Sequence, residues 1–133
     1  MRTCWPSFAS RCGDTVRRML LASQVLTGLV AALHVYFLVL EMFLWRRPLG
    51  LRTFRMSPDK AETTAQLAMN QGLYNGFLAA GLVWGLVRED RGVLTFFLAC
   101  VIAAGLFGGA TVSKRIVLVQ ALPAALALAA VWI

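Results

Sequence analysis

Four long apolar runs, separated by short clusters of charge, make up most of this chain. They cover about residues 20–45, 66–87, 93–112 and 116–133. A straight helix rises about 1.5 Å per residue, so runs of about 18 residues or more match a hydrocarbon core of about 30 Å. The pattern predicts an all-α protein, a bundle of four transmembrane helices.

The breaks between runs carry boundary signals. Trp45 and then Arg46 and Arg47 mark an interfacial aromatic followed by basic anchors, and Pro48 and Gly50 are expected to stop the first helix. Residues 46–65 form the longest internal loop. Within it, Ser57 suits a cap, Pro58 suits a first helical position, and Asp59 and Glu62 complement a helix N-terminus. A short amphipathic helix is expected from about Pro58, leading into the second span. Arg88-Glu89-Asp90-Arg91-Gly92 predicts a hairpin connection between antiparallel spans, and Ser113-Lys114-Arg115 a tight basic turn. Pro123 is expected to kink the fourth span or free a carbonyl.

One stretch breaks the apolar pattern inside a span: Asn70-Gln71-Gly72-Leu73-Tyr74-Asn75-Gly76. Polar groups in hydrocarbon are costly without partners, so other helices must meet them. The glycines make close approach feasible. Gly72, Gly76 and Ala80 recur at four-residue spacing, as do Gly81 and Gly85, and Gly105 and Gly109 in the third span. Gly72, Gly76, Gly105 and Gly109 are also the candidates for homo-oligomer contact.

Composition supports a membrane setting. Hydrophobic residues are 59% and charged residues 14% of the 133, well short of the quarter charged that is usual in soluble domains. The net charge of +7 sits in loops and termini flanking the spans, the placement of topogenic charge, and does not point to nucleic acid. The first and third loops carry seven basic residues, Arg46, Arg47, Arg52, Arg55, Lys60, Lys114 and Arg115. Arg88 and Arg91 lie on the other side, joined by four arginines in residues 1–18. Counting that tail gives no bias. Counting from Met19 places both termini away from the cytoplasm.

Residues 1–18 look like a basic tail, with a signal peptide or an initiator at Met19 as alternatives. Cys4, Cys12 and Cys100 form no disulfide or metal framework, and Cys100 suits apolar packing. The expected home is a bacterial inner membrane, with the lipid bilayer as the main partner.

On a helical wheel at about 100° per residue, Gln24, Thr27, Ala31, His34, Leu38 and Glu41 share one arc of the first span. His34 and Glu41 nearly overlay in projection but lie about 10 Å apart along the axis, too far for a direct bond. In the second span Gln66, Asn70 and Tyr74 form one stack, and Gln71 and Asn75 a second. Gln120 is the strongly polar side chain of the fourth span. A polar cavity or seam is therefore expected from His34, Glu41, Asn70, Gln71, Tyr74, Asn75 and Gln120. No residue is assigned as catalytic, and neither a metal site nor a cofactor is expected. Ser23 is eleven residues from His34 with no nucleophile elbow, and no dinucleotide-binding glycine loop follows a strand.

Three segments resemble a known family: His34-Val35-Tyr36-Phe37-Leu38-Val39-Leu40-Glu41-Met42-Phe43-Leu44-Trp45, Asn70 through Gly81, and Val119-Gln120-Ala121-Leu122-Pro123-Ala124. Together they are similar to small bacterial integral membrane proteins grouped as domain of unknown function thirteen-oh-four. The resemblance covers about residues 19–133. It implies a four-helix membrane protein and brings no established activity. Members usually begin near Met19, so residues 1–18 depart from the pattern.

Three functional classes follow: a membrane protein whose polar site binds or transports a small ligand or a proton, an intramembrane isomerase-like enzyme using His34 and Glu41 as acid and base, and a structural or partner-binding subunit. Convergence of the polar groups on a cavity favours the first two. Mutual bonding without a void favours the third.

Overall fold

The computed structural model of the chain describes residues 6–133, with side chains from Gly13 onward. It is all-helical among those residues. The helices are α1 (Pro6–Met42), α2 (Pro48–Phe54), α3 (Pro58–Arg88), α4 (Arg91–Thr111) and α5 (Leu122–Trp132), with a π-helical turn at Val117–Ala121 before α5. α1 and α4 contain apolar segments, Gly13–Met42 and Arg91–Thr111, that are long and apolar enough to cross a membrane. Residues 1–5 of the expected tail lie outside the described residues, as do the side chains of Cys4 and Cys12. From Pro6 the chain is already helical and continuous with the first apolar run.

α3 starts and ends as its sequence dictates. Ser57 is the N-cap and its hydroxyl accepts from the Lys60 N–H, while Pro58 occupies the first turn, where its missing N–H is no loss. Glu89 turns into the left-handed region at φ 52, and its N–H and that of Asp90 return to carbonyls of the last turn. Asp90 then caps α4, its carboxylate accepting from the Gly92 and Val93 N–H groups. The charged hairpin is thus two caps placed back to back.

The first loop departs from expectation. Pro48 and Gly50 do not end structure there; α1 has already ended at Met42, and Pro48 opens α2. Pro48 fits because a first-turn proline gives up no helical hydrogen bond. Gly50 is buried inside α2, so close to the carbonyls of Leu44 and Trp45 that a Cβ would collide with them. The short helix is folded back onto the end of α1, with Phe54 against Trp45 at a ring separation of 4.7 Å.

The long helices pack in a ring, α1 against α3 and α5, and α4 against α3 and α5. Contacting residues descend on one helix as they ascend on its neighbour. Trp45 meets Thr64 while Glu41 meets Asn75, Gly85 faces Leu94 while Gly81 faces Phe97, and Thr95 meets Trp132 while Gly105 faces Ala121. Sequential neighbours are therefore antiparallel. The loops 43–57 and 112–116 share one end of the bundle, and the Arg88–Gly92 hairpin lies at the other.

Small side chains fill the seams. On α3 the buried positions are Ala61, Ala68, Gly72, Ala79, Gly81, Leu82 and Gly85, and on α5 Ala124, Ala127 and Val131. The larger core side chains Val30, Leu82, Leu98 and Val101 close the centre. Many large apolar side chains point outward, including Leu29 at 62% and Phe107 at 72% exposure.

The four glycines expected to serve oligomer contact all face neighbours within the chain. Gly72 and Gly76 stand against α1, Gly105 against Ala121 and Gly109 against Val117.

Gly105 tests this packing against a backbone atom. A Cβ there would lie 2.7 Å from the Ala121 amide nitrogen, a backbone atom that cannot swing aside. Gly28, on α1, has nothing within 4 Å of the same position. Gly105→Ala should destabilise the protein by about 1–3 kcal/mol. Gly28→Ala should leave it unchanged or stabilise it by up to about 1 kcal/mol. Reversible unfolding in detergent, measured on both variants, checks the sign of each.

Candidate functional site

The four buried polar side chains among the described residues all lie on α1: Ser23, Thr27, His34 and Glu41. Their spacings of four, seven and seven place them within about 40° of one another around the helix. His34 is fully buried and Glu41 is 6% exposed. Each is met by a polar group from a different neighbouring helix.

His34 Nδ1 lies 2.8 Å from the Val30 carbonyl oxygen. A carbonyl only accepts, so Nδ1 carries the hydrogen and donates. Nε2 lies 3.3 Å from the Gln120 side-chain nitrogen, which donates to it. Phe37 closes one side of the ring edge-on, at 6.0 Å between centroids. Both ring nitrogens are thus occupied by the protein.

The π-helical turn delivers Gln120 to this position. Within it, the Leu122 N–H reaches back five residues to the Val117 carbonyl. The wider turn lies just ahead of Pro123, which cannot donate a helical hydrogen bond, and relieves the crowding that its ring imposes on the preceding turn. Pro123 was expected to disturb the helix, and the disturbance takes this form.

Glu41 meets α3. Asn75 Nδ2 donates to Glu41 Oε2 at 2.7 Å. The approach depends on Gly72, where a Cβ would lie 3.1 Å from Glu41 Cβ and 3.2 Å from the Leu38 carbonyl oxygen. No protein donor reaches the second carboxylate oxygen among the described residues. Beside Glu41 the α1–α3 seam opens into a cleft of about 610 Å³, walled by Met42, Phe43, Trp45, Ala65, Gln66 and Met69, with Arg46 and Arg47 at its rim. Arg46 also pairs with Glu62 at 2.9 Å, and Trp45 Nε1 donates to Thr64 Oγ1 at 3.2 Å.

The seven sequence candidates therefore divide three ways. His34 with Gln120 form one buried contact. Glu41 with Asn75 form a second, at the edge of a cleft. Asn70, Gln71 and Tyr74 are exposed on the outer side of α3, and no single cavity gathers all seven. Asn70 lines a second groove of about 750 Å³ that shares Met42, Gln66 and Met69 with the cleft. Sequence reasoning assigned Trp45, Arg46 and Arg47 to anchoring, whereas they also border the cleft. It placed Thr27 on the polar arc; the hydroxyl is fully buried and has no hydrogen-bond partner among the described residues.

Chemically, the arrangement offers one carboxylate oxygen as an acceptor at the inner end of the cleft and guanidinium groups at its mouth. A ligand entering from the basic end meets cation first and carboxylate deeper. The two polar contacts share no residue and tie α1 to different neighbours. Inter-helix polar pairs in membranes are each worth about 0.6 kcal/mol, with a maximum near 1.7. A double-mutant cycle of Glu41→Ala and Asn75→Ala should give a coupling in that range, as should His34→Ala with Gln120→Ala. Glu41→Ala combined with Gln120→Ala should be additive within about 0.5 kcal/mol. Unfolding free energies in detergent for the singles and doubles test all three.

Comparison with known proteins places the chain. The family described as "Protein of unknown function (DUF1304)" matches residues 28–132. The chain is also similar to "Uncharacterized protein YpaA" of Lactococcus lactis subsp. lactis (strain IL1403), 31% identical over 114 residues, a match covering 83% of this chain and 96% of the relative. No solved structure matches. The chain belongs to the DUF1304 family of proteins of unknown function.

Proposed function

We propose that this chain is a four-span protein of the bacterial inner membrane that binds a small amphipathic ligand at the α1–α3 cleft, with Glu41 as its polar anchor. The observation that carries the reading is the Glu41 carboxylate: one oxygen is fixed by Asn75, and the other has no protein donor among the described residues, beside a cleft large enough for a small molecule.

The membrane part of the reading rests on where side chains of different size sit. Gly and Ala are frequent in the helix seams, and many large side chains, Leu, Val, Phe and Trp among them, point outward. Water would penalise that outward apolar surface, whereas lipid accepts it, and in lipid helices associate best through small residues. α3, at 31 residues, has the length to span despite its polar run, and the Val117–Trp132 segment is a shorter apolar helix. The two hairpin ends differ in charge. Counted from Met19, seven basic residues lie at the loop 43–57 and 112–116 end against Arg88 and Arg91 at the other. The positive-inside tendency puts the first end, with the cleft, in the cytoplasm.

Among the alternatives, an acid–base enzyme using His34 and Glu41 has less support. His34 is enclosed, both ring nitrogens are engaged, and its contact is separate from the cleft. A purely structural role accounts for His34 with Gln120 but leaves the open side of Glu41 unused.

Two measurements test the reading. In a protein with Cys4, Cys12 and Cys100 changed to Ser, Glu89→Cys should react with a membrane-impermeant maleimide on spheroplasts, and Ser113→Cys only after permeabilisation. Labelling of both from outside would sink the four-span arrangement. In a deletion strain, a lipid and metabolite inventory should show a change restored by the wild-type gene and not by Glu41→Ala at equal membrane abundance. Full restoration by Glu41→Ala would remove the ligand site.

A further inference from the structure

The cleft beside Glu41 and the second groove on the α1–α3 face share Met42, Gln66 and Met69, so they form one continuous track along the outside of the seam. Its outer end carries Arg46 and Arg47. Its walls hold Leu67 and Leu73 beside the polar Thr63, Gln66 and Asn70, and Glu41 stands in the seam wall. Arg46 is shared with Glu62, whereas Arg47 is exposed and has no ion pair among the described residues. In lipid the apolar part of such a track selects nothing, because acyl chains surround the whole protein. Selectivity has to come from the charged groups and their order in depth.

That order is specific. Arg47 follows Glu41 by six residues, past the end of α1 at Met42, with the cation toward water and the carboxylate toward hydrocarbon. In a glycerophospholipid the phosphate is outermost and the glycerol carbons lie deeper. A guanidinium suits phosphate, which it can bind through two parallel N–H···O bonds. A carboxylate at glycerol depth repels ester carbonyls, which only accept, and favours a free hydroxyl, which donates. A free hydroxyl on glycerol means that one acyl chain is missing, and one seam offers one track.

We infer that the α1–α3 track seats a single-chain anionic lysophospholipid, with its phosphate on Arg47 and its free glycerol hydroxyl donating to the open oxygen of Glu41. The inference rests on the proposed ligand site at Glu41 and names the ligand class for it. It also gives the rim arginine a binding role besides topology. A diacyl lipid lacks the hydroxyl, and a fatty acid lacks both the phosphate geometry and the deeper donor.

The test uses Trp45, which borders the cleft, as the reporter. The full-length chain with Trp5, Trp84 and Trp132 changed to Phe is placed in nanodiscs of dioleoylphosphatidylcholine. It is titrated with 1-acyl-lysophosphatidic acid carrying a dibrominated chain, a collisional quencher. Saturable quenching is expected. Removing one charge-assisted contact should weaken binding about tenfold or more. That loss is expected for Arg47→Glu, and also for the 2-deoxy analogue titrated against the unchanged cleft. Brominated diacyl phosphatidic acid and brominated oleate should quench without saturating.

Equal saturable binding of the 2-deoxy analogue or the diacyl lipid overturns the hydroxyl assignment, and equal binding of oleate or no effect of Arg47→Glu overturns the phosphate assignment. The analogue series needs no variant at the site, so it decides the matter even where Arg47→Glu folds poorly. Absence of lysolipid binding, together with failure of Glu41→Ala to complement the deletion strain, removes this ligand class alone. Complementation by Glu41→Ala removes the ligand site itself.

Discussion

The close approach of α3 to α1 at Gly72 is the contact on which the rest depends. A side chain there would press on Met42, on Glu41 and on the Leu38 carbonyl. Pushing the helices apart by even an ångström would lengthen the 2.7 Å bond between Asn75 and Glu41 beyond hydrogen-bond range and strand a carboxylate among apolar helices. Gly76, one turn further on, extends the same contact against Leu38. The polar chemistry of this protein is therefore set by residues that have no side chain.

This arrangement shows how a bundle can hold polar groups in an apolar setting without one shared cavity. His34 and Glu41 are two turns apart on the same face of α1, yet they are served by different helices, one by Gln120 near α5 and the other by Asn75 on α3. The first contact is closed on all sides and ties α1 to the fourth segment. The second is closed on one side and open on the other. That asymmetry separates a contact that holds helices together from one that has capacity left for a guest.

Much of this was legible in the chain. The long helices follow from apolar runs, and the caps at Ser57 and Asp90 follow from residue types with one favourable use at a helix start. His34 and Glu41 were identifiable because ionisable groups are rare within apolar runs. Other features were hidden. Polar residues cover about half of α3, and only half a helix can face inward. The buried half is marked by Ala68, Gly72, Asn75, Ala79 and Leu82, which recur every three or four residues. Reading that small-residue stripe first would have put Asn75 inside and Asn70 and Tyr74 outside, with Gln71 at its edge. α2 was missed because Pro48 and Gly50 break helices by propensity, whereas here one starts a helix and the other permits its tight return onto Trp45. The direction of Gln120 depends on a wider turn that no local composition announces.

That turn has a consequence for how the fourth segment tolerates change in length. A π-helical turn holds one residue more than an α-helical path over the same stretch. The segment Val117–Ala121 therefore behaves as a one-residue insertion whose slack has been taken up locally, between the glycine-lined contact with α4 and the helix that Pro123 begins. Deleting a residue here would shorten the segment without breaking it, since an ordinary helix would close the gap. The parts of the helix on either side would keep their facing, because the wide turn already absorbs the rotation of its extra residue. Fold and polar contact are separable at this point: chain length can be edited while the helix persists, and the amide facing His34 would be what is lost.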